Sequence, residues 1–439
     1  MDTPIKIIKT IDTYNDLLKA IMDGDSDIVI GRNILVSSSL TLAPNVTLRG
    51  EPQENSELPT LCFSHTDGIA LTKNNKISDI NIQADTAHRA IYNILQEQDL
   101  GEFIFENLTL VGQFSFITRP GTKSAKVTIK ELDIIACDAR HYPEQPQKYG
   151  VNVWQGALTV YNFNSDADSR IDLTIDNVSI GRKHAPVLGS GLFVSGFGDK
   201  GGQVVAERIT TQAVYSNGKL PFGVPDIINA AIFIVYGATV KQLTHFDTIV
   251  TYGVSDMVLD TWGHVDNWLA EKDVISYGPS GIGFVNFGTV GNFVVKGDVK
   301  TYGLGARGYN QYDGTVDNIE FGSIETFGDG SIGIQLSRKI GKLTVHGDVT
   351  THGGEGQSLV KGVLDTLHAV ALSVKEGGEA EHIHIKGNLQ TLGDDVSTIE
   401  VDKGGKIAAM QVGGDILAKG QNSKRLDIED GADIPDSLK

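Results

Sequence analysis

A five-residue phrase returns at a fixed spacing, and this repeat limits the possible folds more than any other feature of the chain. Each copy contains β-branched residues and ends in glycine, at Ile249–Gly253, Val274–Gly278, Val299–Gly303, Ile324–Gly328 and Val349–Gly353. The five glycines are 25 residues apart each time. A period of this length is typical of a solenoid, in which each repeat packs only on its neighbours. The β-branched residues predict a strand, and the glycine predicts a sharp turn with a positive φ.

Two further strands are expected in every repeat. Apolar residues precede the phrase at Val240, Val265, Val290 and Ile340, each followed three residues later by Leu243, Trp268, Phe293 and Leu343. A third short strand follows the glycine, as in Ile282–Phe287 and Ile332–Ser337. Three strands per 25 residues, without sustained helical spacing, predict an all-β parallel β-helix. Residues at equal phase in successive coils then lie about 4.8 Å apart and form columns along the axis.

The rest of the chain predicts one elongated domain, because a solenoid lengthens without starting a new core. Residues 1–25 form the N-terminal cap; within residues 11–23, Leu17, Leu18 and Ile21 share one side of a predicted helix that begins at Asp12 or Thr13. We expect this helix to cover the open edge of the first coil. Residues 26–423 form the β-helix, and residues 424–439 form a polar tail. Inserts near residues 138–150, 216–229 and 355–371 interrupt the period and are expected on one face, often the binding face.

The opening of the β-helix carries a family resemblance. After the predicted helix come the strand Ile28–Ile30, the strand that begins Leu40-Thr-Leu-Ala-Pro44 and the closing Leu48-Arg-Gly50. This order resembles right-handed parallel β-helix proteins of the pectin-lyase-like superfamily, and the segment from about residue 150 onward is similar to bacterial members. The resemblance implies a right-handed solenoid of about a dozen or more coils. It implies no particular activity, because this fold hosts many.

Composition restricts the partners and the compartment. The formal charge is −18, and no Lys/Arg cluster is present that could neutralise nucleic-acid phosphates or a polyuronate. The chain contains no apolar run long enough to cross a membrane and no secretory signal at its start, which predicts a cytoplasmic protein without membrane contact. The two cysteines, Cys62 and Cys137, fit a reducing compartment.

Several apparent motifs are better explained by the repeat. Two G-x-G-x-x-G matches, Gly303–Gly308 and Gly328–Gly333, are one period apart and precede strands, so they are interpreted as corners and not as a dinucleotide site. His382 and His384 share a strand face, but no third ligand stands at zinc spacing, so no metal or other cofactor is expected. The column Tyr252, Tyr277, Tyr302, Phe327 and His352 is interpreted mainly as a structural stack.

The third strand of each coil carries the candidate site. If Ile332, Ile334 and Leu336 face the core, the opposite face presents aromatic and amide side chains that suit a neutral sugar. The predicted binding residues are Trp262, Phe287, Asn310, Tyr312 and Gln335. Asn286 and Arg307 stand at the inward phase, where polar groups are costly, so they are included as residues that a corner turns outward.

Glycoside cleavage requires two carboxyl groups about 5 to 9.5 Å apart, depending on the mechanism. Asp256 and Asp260 lie on one strand, about 13 Å apart if it is extended. Asp226, on the insert 216–229, is free to approach either of them, so Asp226, Asp256 and Asp260 are the candidate catalytic residues. The sequence thus favours an enzyme that acts on a neutral oligosaccharide. A non-catalytic sugar-binding or structural scaffold is the alternative and a polysaccharide lyase the third; a homo-oligomer, dimer or trimer, with a shared site is also considered.

Overall fold

The computed structural model describes residues 10–53, 57–360 and 363–438. These residues contain one α-helix, α1 (Tyr14–Asp23), 41 strands and a 3-10 helix at Asp436–Leu438. Two strand pairs are antiparallel, and the other paired strands described are parallel. Within the described part of the chain, no helix is long and apolar enough to span a membrane.

The strands as far as the end of the insert 138–150 are Asp27–Ile30 (β1), Ile34–Val36 (β2), Leu40–Thr41 (β3), Thr47–Gly50 (β4), Thr60–Phe63 (β5), Ile69–Leu71 (β6), Lys76–Gln83 (β7), Arg89–Asn93 (β8), Asp99–Val111 (β9), Gln113–Thr118 (β10), Ser124–Ala136 (β11) and Gln147–Lys148 (β12). The next are Val151–Val153 (β13), Gly156–Asn162 (β14), Arg170–Ile180 (β15), Val187–Leu188 (β16), Ser190–Ser195 (β17), Gln203–Asn217 (β18), Ile227–Ile234 (β19) and Ala238–His245 (β20).

The regular repeat contains Ile249–Thr251 (β21), Asp256–Thr261 (β22), His264–Ala270 (β23), Val274–Ser276 (β24), Ile282–Asn286 (β25), Thr289–Thr301 (β26), Arg307–Gln311 (β27), Thr315–Thr326 (β28), Ile332–Leu336 (β29), Lys339–Val345 (β30) and Val349–Thr351 (β31). The C-terminal part contains Glu355–Val360 (β32), Val363–His368 (β33), Leu372–Val374 (β34), Glu379–Ile385 (β35), Leu389–Thr391 (β36), Ser397–Val401 (β37), Lys406–Ile407 (β38), Met410–Val412 (β39), Ile416–Ala418 (β40) and Lys424–Ile428 (β41).

Fourteen strands stack one on the next to form one long side of the solenoid, and we call this stack sheet 1. Its order is β3, β6, β8, β10, β14, β17, β19, β22, β25, β27, β29, β34, β37 and β41. A second sheet of 23 strands forms the remaining surface of the coils. Stacked parallel strands of this kind are those of a parallel β-helix, so the predicted all-β solenoid is confirmed at that level. Strand β41 pairs with β37, so the segment predicted as a tail begins with one more stacked strand.

The 25-residue period is visible as strand register. Val240 pairs with Val265, and Val265 with Val290. Val316 then stands between Val290 and Ile340 in the same column, because that coil is displaced by one residue. The apolar side chains at these positions are buried and form one continuous core along the axis.

The glycine that closes each repeat is required for a different reason than predicted. The five repeat glycines do not adopt a positive φ. Instead they stack on one another: a Cβ on Gly278 would lie 1.7 Å from the carbonyl oxygen of Gly253, and one on Gly303 would lie 1.9 Å from that of Gly278. The left-handed residue of the corner comes two positions later, at Ser255, Ser280, Gly305 and Gly330.

The predicted N-terminal helix is present. Thr13 is its N-cap, with the side-chain oxygen accepting a hydrogen bond from the Asp16 amide at 3.2 Å, and Gly24 ends it with a left-handed φ of 72°. Leu17 and Ala20 are buried in the core. The role of this helix in covering the edge of the first coil stays a prediction.

Candidate functional site

A groove of about 760 Å³ runs over the outer face of sheet 1. Its floor comes from successive coils, beginning with Met257 and ending with Asp402. All three inserts contribute to its walls, through Tyr149 from the first, Pro225 and Ile227 from the second, and Val360, Asp365 and Leu367 from the third. The interruptions of the repeat therefore meet around one cavity, although they are far apart in sequence.

One end of the groove is aromatic. Phe287 stacks on Tyr312 with ring centroids 4.7 Å apart, and Tyr149 reaches over from its insert to lie 4.5 Å from Phe287. Trp262 lies beneath, 5.4 Å from Tyr149, and only 4 % of it is exposed. Phe287 is thus stacked between Tyr149 and Tyr312, and Trp262 supports the three rings from below.

Asp260, on strand β22, lies in the floor of this end. The residue is fully buried, and neither carboxyl oxygen has a hydrogen-bond partner among the described residues. Its neighbours in the column are Phe233 below and Val285 above, which offer no charge and no polar hydrogen. Burial therefore raises the pKa of Asp260 well above its usual value.

Three more buried polar atoms in the same groove lack partners among the described residues. They are the indole nitrogen of Trp262, the amide oxygen of Asn310 and the hydroxyl of Ser255. Buried polar atoms in folded proteins are nearly always hydrogen-bonded, because leaving one unpaired costs about 1–3 kcal/mol. Together with Asp260, the groove offers both donors and acceptors that the protein itself does not use.

Arg307, the first residue of strand β27, lies in the middle of the groove. Its Nε donates to the side-chain oxygen of Gln335 at 3.2 Å, and its Nη1 donates to the Ser358 hydroxyl at 3.2 Å and to the Gly305 carbonyl at 3.4 Å. Only 3 % of the residue is exposed, and burial lowers the pKa of the guanidinium to about 10. Arg307 thus lines the groove, although the sequence places it at an inward phase of its strand.

The far end of the groove carries paired charges. Arg338 contacts Asp313 at 3.3 Å, and Lys375 contacts Asp402 at 3.5 Å. All four side chains are between a third and about half exposed. Exposed pairs of this kind contribute little to stability, but they make this end of the groove polar and electrically balanced.

Asp256 does not line the groove. It is the first residue of β22 and is fully buried, and its carboxylate accepts hydrogen bonds from the amides of Gly253 at 2.7 Å and Gly218 at 3.0 Å. Burial raises its pKa to about 7, an effect that these two backbone hydrogen bonds and the Asn229 side chain partly oppose. Asp256 therefore fastens the insert 216–229 to the repeat.

Two other predicted site residues also lie outside the groove lining. Asp226 is exposed on its insert, so the three candidate carboxyls are not brought together in the groove. Asn286 keeps its inward phase, because its amide donates to the Gln311 side chain at 3.2 Å and to two backbone carbonyls. The expectation that a corner turns Asn286 outward is wrong. Trp262, Phe287, Asn310, Tyr312 and Gln335 all line the groove, as do Asp260 and Arg307.

Several residues that line the groove or support it were not predicted from the sequence. Tyr149 and Ser358 lie on inserts whose course cannot be read from a repeat, and Arg338 was not recognised as the partner of Asp313. Ser255 carried a detectable signal: it occupies the left-handed corner position that is glycine at Gly305 and, one coil later, at Gly330. Serine adopts that backbone at a cost of about 1–2 kcal/mol relative to glycine, which marks the position as unusual.

The dismissed motifs lie where the repeat predicted. Gly303–Gly308 connects strand β26 to strand β27, so no helix N-terminus is available to hold a pyrophosphate. In the stacked column, Tyr277 and Tyr302 have centroids 5.0 Å apart, and each ring covers the face of the next. The described residues contain no cluster of three or more His, Cys, Asp or Glu suited to a metal ion.

Fold and site together describe a parallel β-solenoid with a lateral groove that is aromatic at one end and charged at the other. No known protein family, curated protein or solved structure matches this chain.

Proposed function

We propose that the groove binds a carbohydrate that is largely uncharged. The observation that carries this proposal is the set of buried polar atoms without protein partners, at Ser255, Asp260, Trp262 and Asn310, beside exposed aromatic rings. A sugar combines apolar ring faces with hydroxyl groups that both donate and accept hydrogen bonds. Such a ligand satisfies both halves of this surface at once.

Each part of the aromatic end then has a defined role. Tyr312 covers an apolar face of a sugar ring, and Phe287 and Tyr149 hold the Tyr312 ring in place through the stack they form with it. The carboxyl of Asp260 hydrogen-bonds to one sugar hydroxyl, and the Asn310 oxygen accepts from another. Ligand binding thereby removes the cost of burying these groups without partners.

Cleavage of a glycosidic bond is a second candidate function, and the chemistry of Asp260 favours it. A general acid must hold its proton near neutral pH, and burial raises the pKa of Asp260 in that direction. The reaction also needs a second carboxylate. Asp226 and Asp256 lie outside the groove lining. Of the other carboxylates that line it, Asp313 and Asp402 are engaged by Arg338 and Lys375, and Asp365 and Glu376 belong to the third insert and the coil that follows it. Binding without cleavage therefore has the stronger support, and lyase chemistry, with Arg307 as the base, has the weakest.

A glycan array followed by calorimetry tests the binding proposal. We expect Tyr312→Ala to lower the affinity for the glycans that the wild type binds by about tenfold or more, because a stacked ring is lost. Tyr302→Ala is the matched control: this tyrosine is 40 % exposed but belongs to the column outside the groove, so affinity should stay within about twofold. Equal affinities of the wild type and Tyr312→Ala would contradict the proposal.

The cleavage candidate has its own test. Release of reducing ends from a bound oligosaccharide should fall by about a hundredfold or more in Asp260→Asn, since the amide cannot give up a proton. A wild type that binds but releases no reducing ends would leave binding as the function of the groove.

Finer statements about the fold and its setting are also proposals. We propose a right-handed coil and membership of the pectin-lyase-like superfamily, supported by the parallel stack and the N-terminal helix. A cytoplasmic setting is supported by the free thiols of Cys62 and Cys137. A homo-oligomer, dimer or trimer, would offer a second carboxylate from a neighbouring subunit.

A further inference from the structure

Arg307 differs from the other cations that line the groove. Among the described lining residues the cations are Arg307, Arg338 and Lys375. Arg338 and Lys375 each contact a carboxylate and are partly exposed, whereas Arg307 is buried and contacts no carboxylate of the described residues. The chain has 55 acidic residues, so the lack of a partner is not a shortage of carboxylates.

The protein provides hydrogen-bond acceptors for only part of this guanidinium group. The acceptors at Gln335, Ser358 and Gly305 are all neutral, and they engage Nε and Nη1, while Nη2 donates to no atom of the described residues. Taking a cation out of water costs several kcal/mol unless an anion accompanies it. A planar guanidinium with open N–H groups is also the protein group best shaped to hold a carboxylate, phosphate or sulfate.

The surroundings limit how much negative charge the ligand can carry. Asp313, Asp365, Glu376 and Asp402 line the same groove as Arg307. A ligand with an acidic group on every sugar would place several of them against these carboxylates. One anionic group at Arg307, with an uncharged remainder, avoids that repulsion.

The positions of Arg307 and Tyr312 leave room for more than one sugar ring. Arg307 begins β27 and Tyr312 directly follows the last residue of that strand, so their Cα atoms are about 16 Å apart along an extended strand. A ligand of two or more rings fits along this length.

We propose that the groove recognises a saccharide of two or more rings with a single anionic substituent, held by Arg307 while the uncharged rings lie toward Tyr312. This inference rests on the proposed carbohydrate binding. The hairpin of β32 and β33 supports the arrangement, because its Ser358 hydroxyl accepts from Arg307 and donates to the Gly305 carbonyl at 2.8 Å. The insert thus holds the guanidinium in place without neutralising it.

Matched ligand pairs test the proposal. Calorimetry compares lactose with its sulfate ester and its sialylated derivative, trehalose with its phosphate ester, and the glycans that bind on an array with their singly charged derivatives; polygalacturonate represents a polyanion. We expect the wild type to bind at least one singly charged member ten or more times more tightly than its neutral parent. Which derivative it prefers separates the carboxylate, phosphate and sulfate sources of the anionic group.

Three variants test whether Arg307 causes the preference for the singly charged ligand. Arg307→Gln should abolish it, so that the charged derivative binds no more tightly than its neutral parent; Arg307→Lys should retain part of it, and Arg338→Gln should retain all of it. Removing an unpaired buried cation should also leave the thermal unfolding midpoint of Arg307→Gln unchanged or higher, which separates lost recognition from lost folding.

Two results overturn the inference while the proposed function stands: neutral parents binding as tightly as their charged derivatives, or a preference that survives in Arg307→Gln. Tightest binding of polygalacturonate also overturns it. A wild type that binds no glycan on the array contradicts the proposed function, and the inference falls with it.

Discussion

Asp256 and Asp260 are both fully buried on strand β22, four residues apart, yet their surroundings differ in kind. The Asp256 carboxylate sits at a corner and accepts two backbone hydrogen bonds, whereas Asp260 sits in the groove and accepts none from the described residues. A buried carboxyl that accepts hydrogen bonds from the protein holds two segments together. A buried carboxyl without such partners lowers the stability of the folded state. The difference separates a structural aspartate from a candidate ligand-binding one.

The pH dependence of stability should show this difference most strongly. Burial raises the pKa of Asp256 from 3.8 to about 7, and raises that of Asp260 well above 3.8. A folded state that holds its protons more tightly than the unfolded chain loses stability as the pH rises through this window. A shift of about three units at Asp256 corresponds to at most about 4 kcal/mol between pH 4 and pH 7.

Urea unfolding of two variants at a series of pH values resolves the two contributions. Asp256→Asn should remove the part of the decline that ends near pH 7, and Asp260→Asn should remove a second, separate part of the decline above pH 4. An identical pH profile for the wild type and both variants would contradict the assignment of raised pKa values to these residues.

Deleting each carboxyl should have unequal effects on the free energy of unfolding. At pH 5, Asp256→Ala leaves the buried amides of Gly218 and Gly253 without their acceptor, and we expect a loss of about 3 kcal/mol. Asp260→Ala breaks no protein hydrogen bond among the described residues, and we expect a change below about 1 kcal/mol. Urea unfolding at that pH measures both, and equal losses would end the distinction between the two aspartates.

A methyl group placed against the Asp256 carboxylate gives a smaller, local test. A Cβ on Gly218 would lie 2.6 Å from Oδ1 of Asp256, so Gly218→Ala should displace the carboxylate and cost about 2 kcal/mol. Gly354 is the control: its amide also donates to an aspartate, Asp329, but a Cβ there would come no closer than 3.6 Å to another atom. Thermal unfolding of both alanine variants checks this, and a Gly218→Ala midpoint no lower than that of Gly354→Ala would be the contrary outcome.

The 25-residue period, together with the alternation of side chains along each strand, predicts much of the groove floor. Residues at equal phase face the same side of every coil, so placing Ile334 in the core places Gln335 and Asn310 outside it. The same argument located Asp260 and Tyr312. Arg307 needed a further step, because a side chain at an inward phase leaves the core only where the corner backbone permits it.

The course of the inserts, where the 25-residue period is interrupted, could not be predicted from the sequence. The insert 216–229 does reach the groove, through Pro225 and Ile227, but it leaves Asp226 exposed. The course of an insert depends on long-range contacts, such as that between Gly218 and Asp256, which no spacing records. The prediction for Asn286 failed for a related reason. Its partner Gln311 lies in the next coil, and the hydrogen bond between the two side chains offsets the cost of burying them.

The stacked corner glycines make the coil a modular unit of length. From Gly278 onward, each of these glycines packs against the carbonyl of the glycine one period earlier. A tandem copy of residues 279–303 would therefore make the same contact with the coil before it and with the coil after it. Such an insertion would extend the groove by one coil, about 4.8 Å, without a new core or a new corner. Ligand length in a protein of this kind can therefore change by duplication of a single coil, in whole steps.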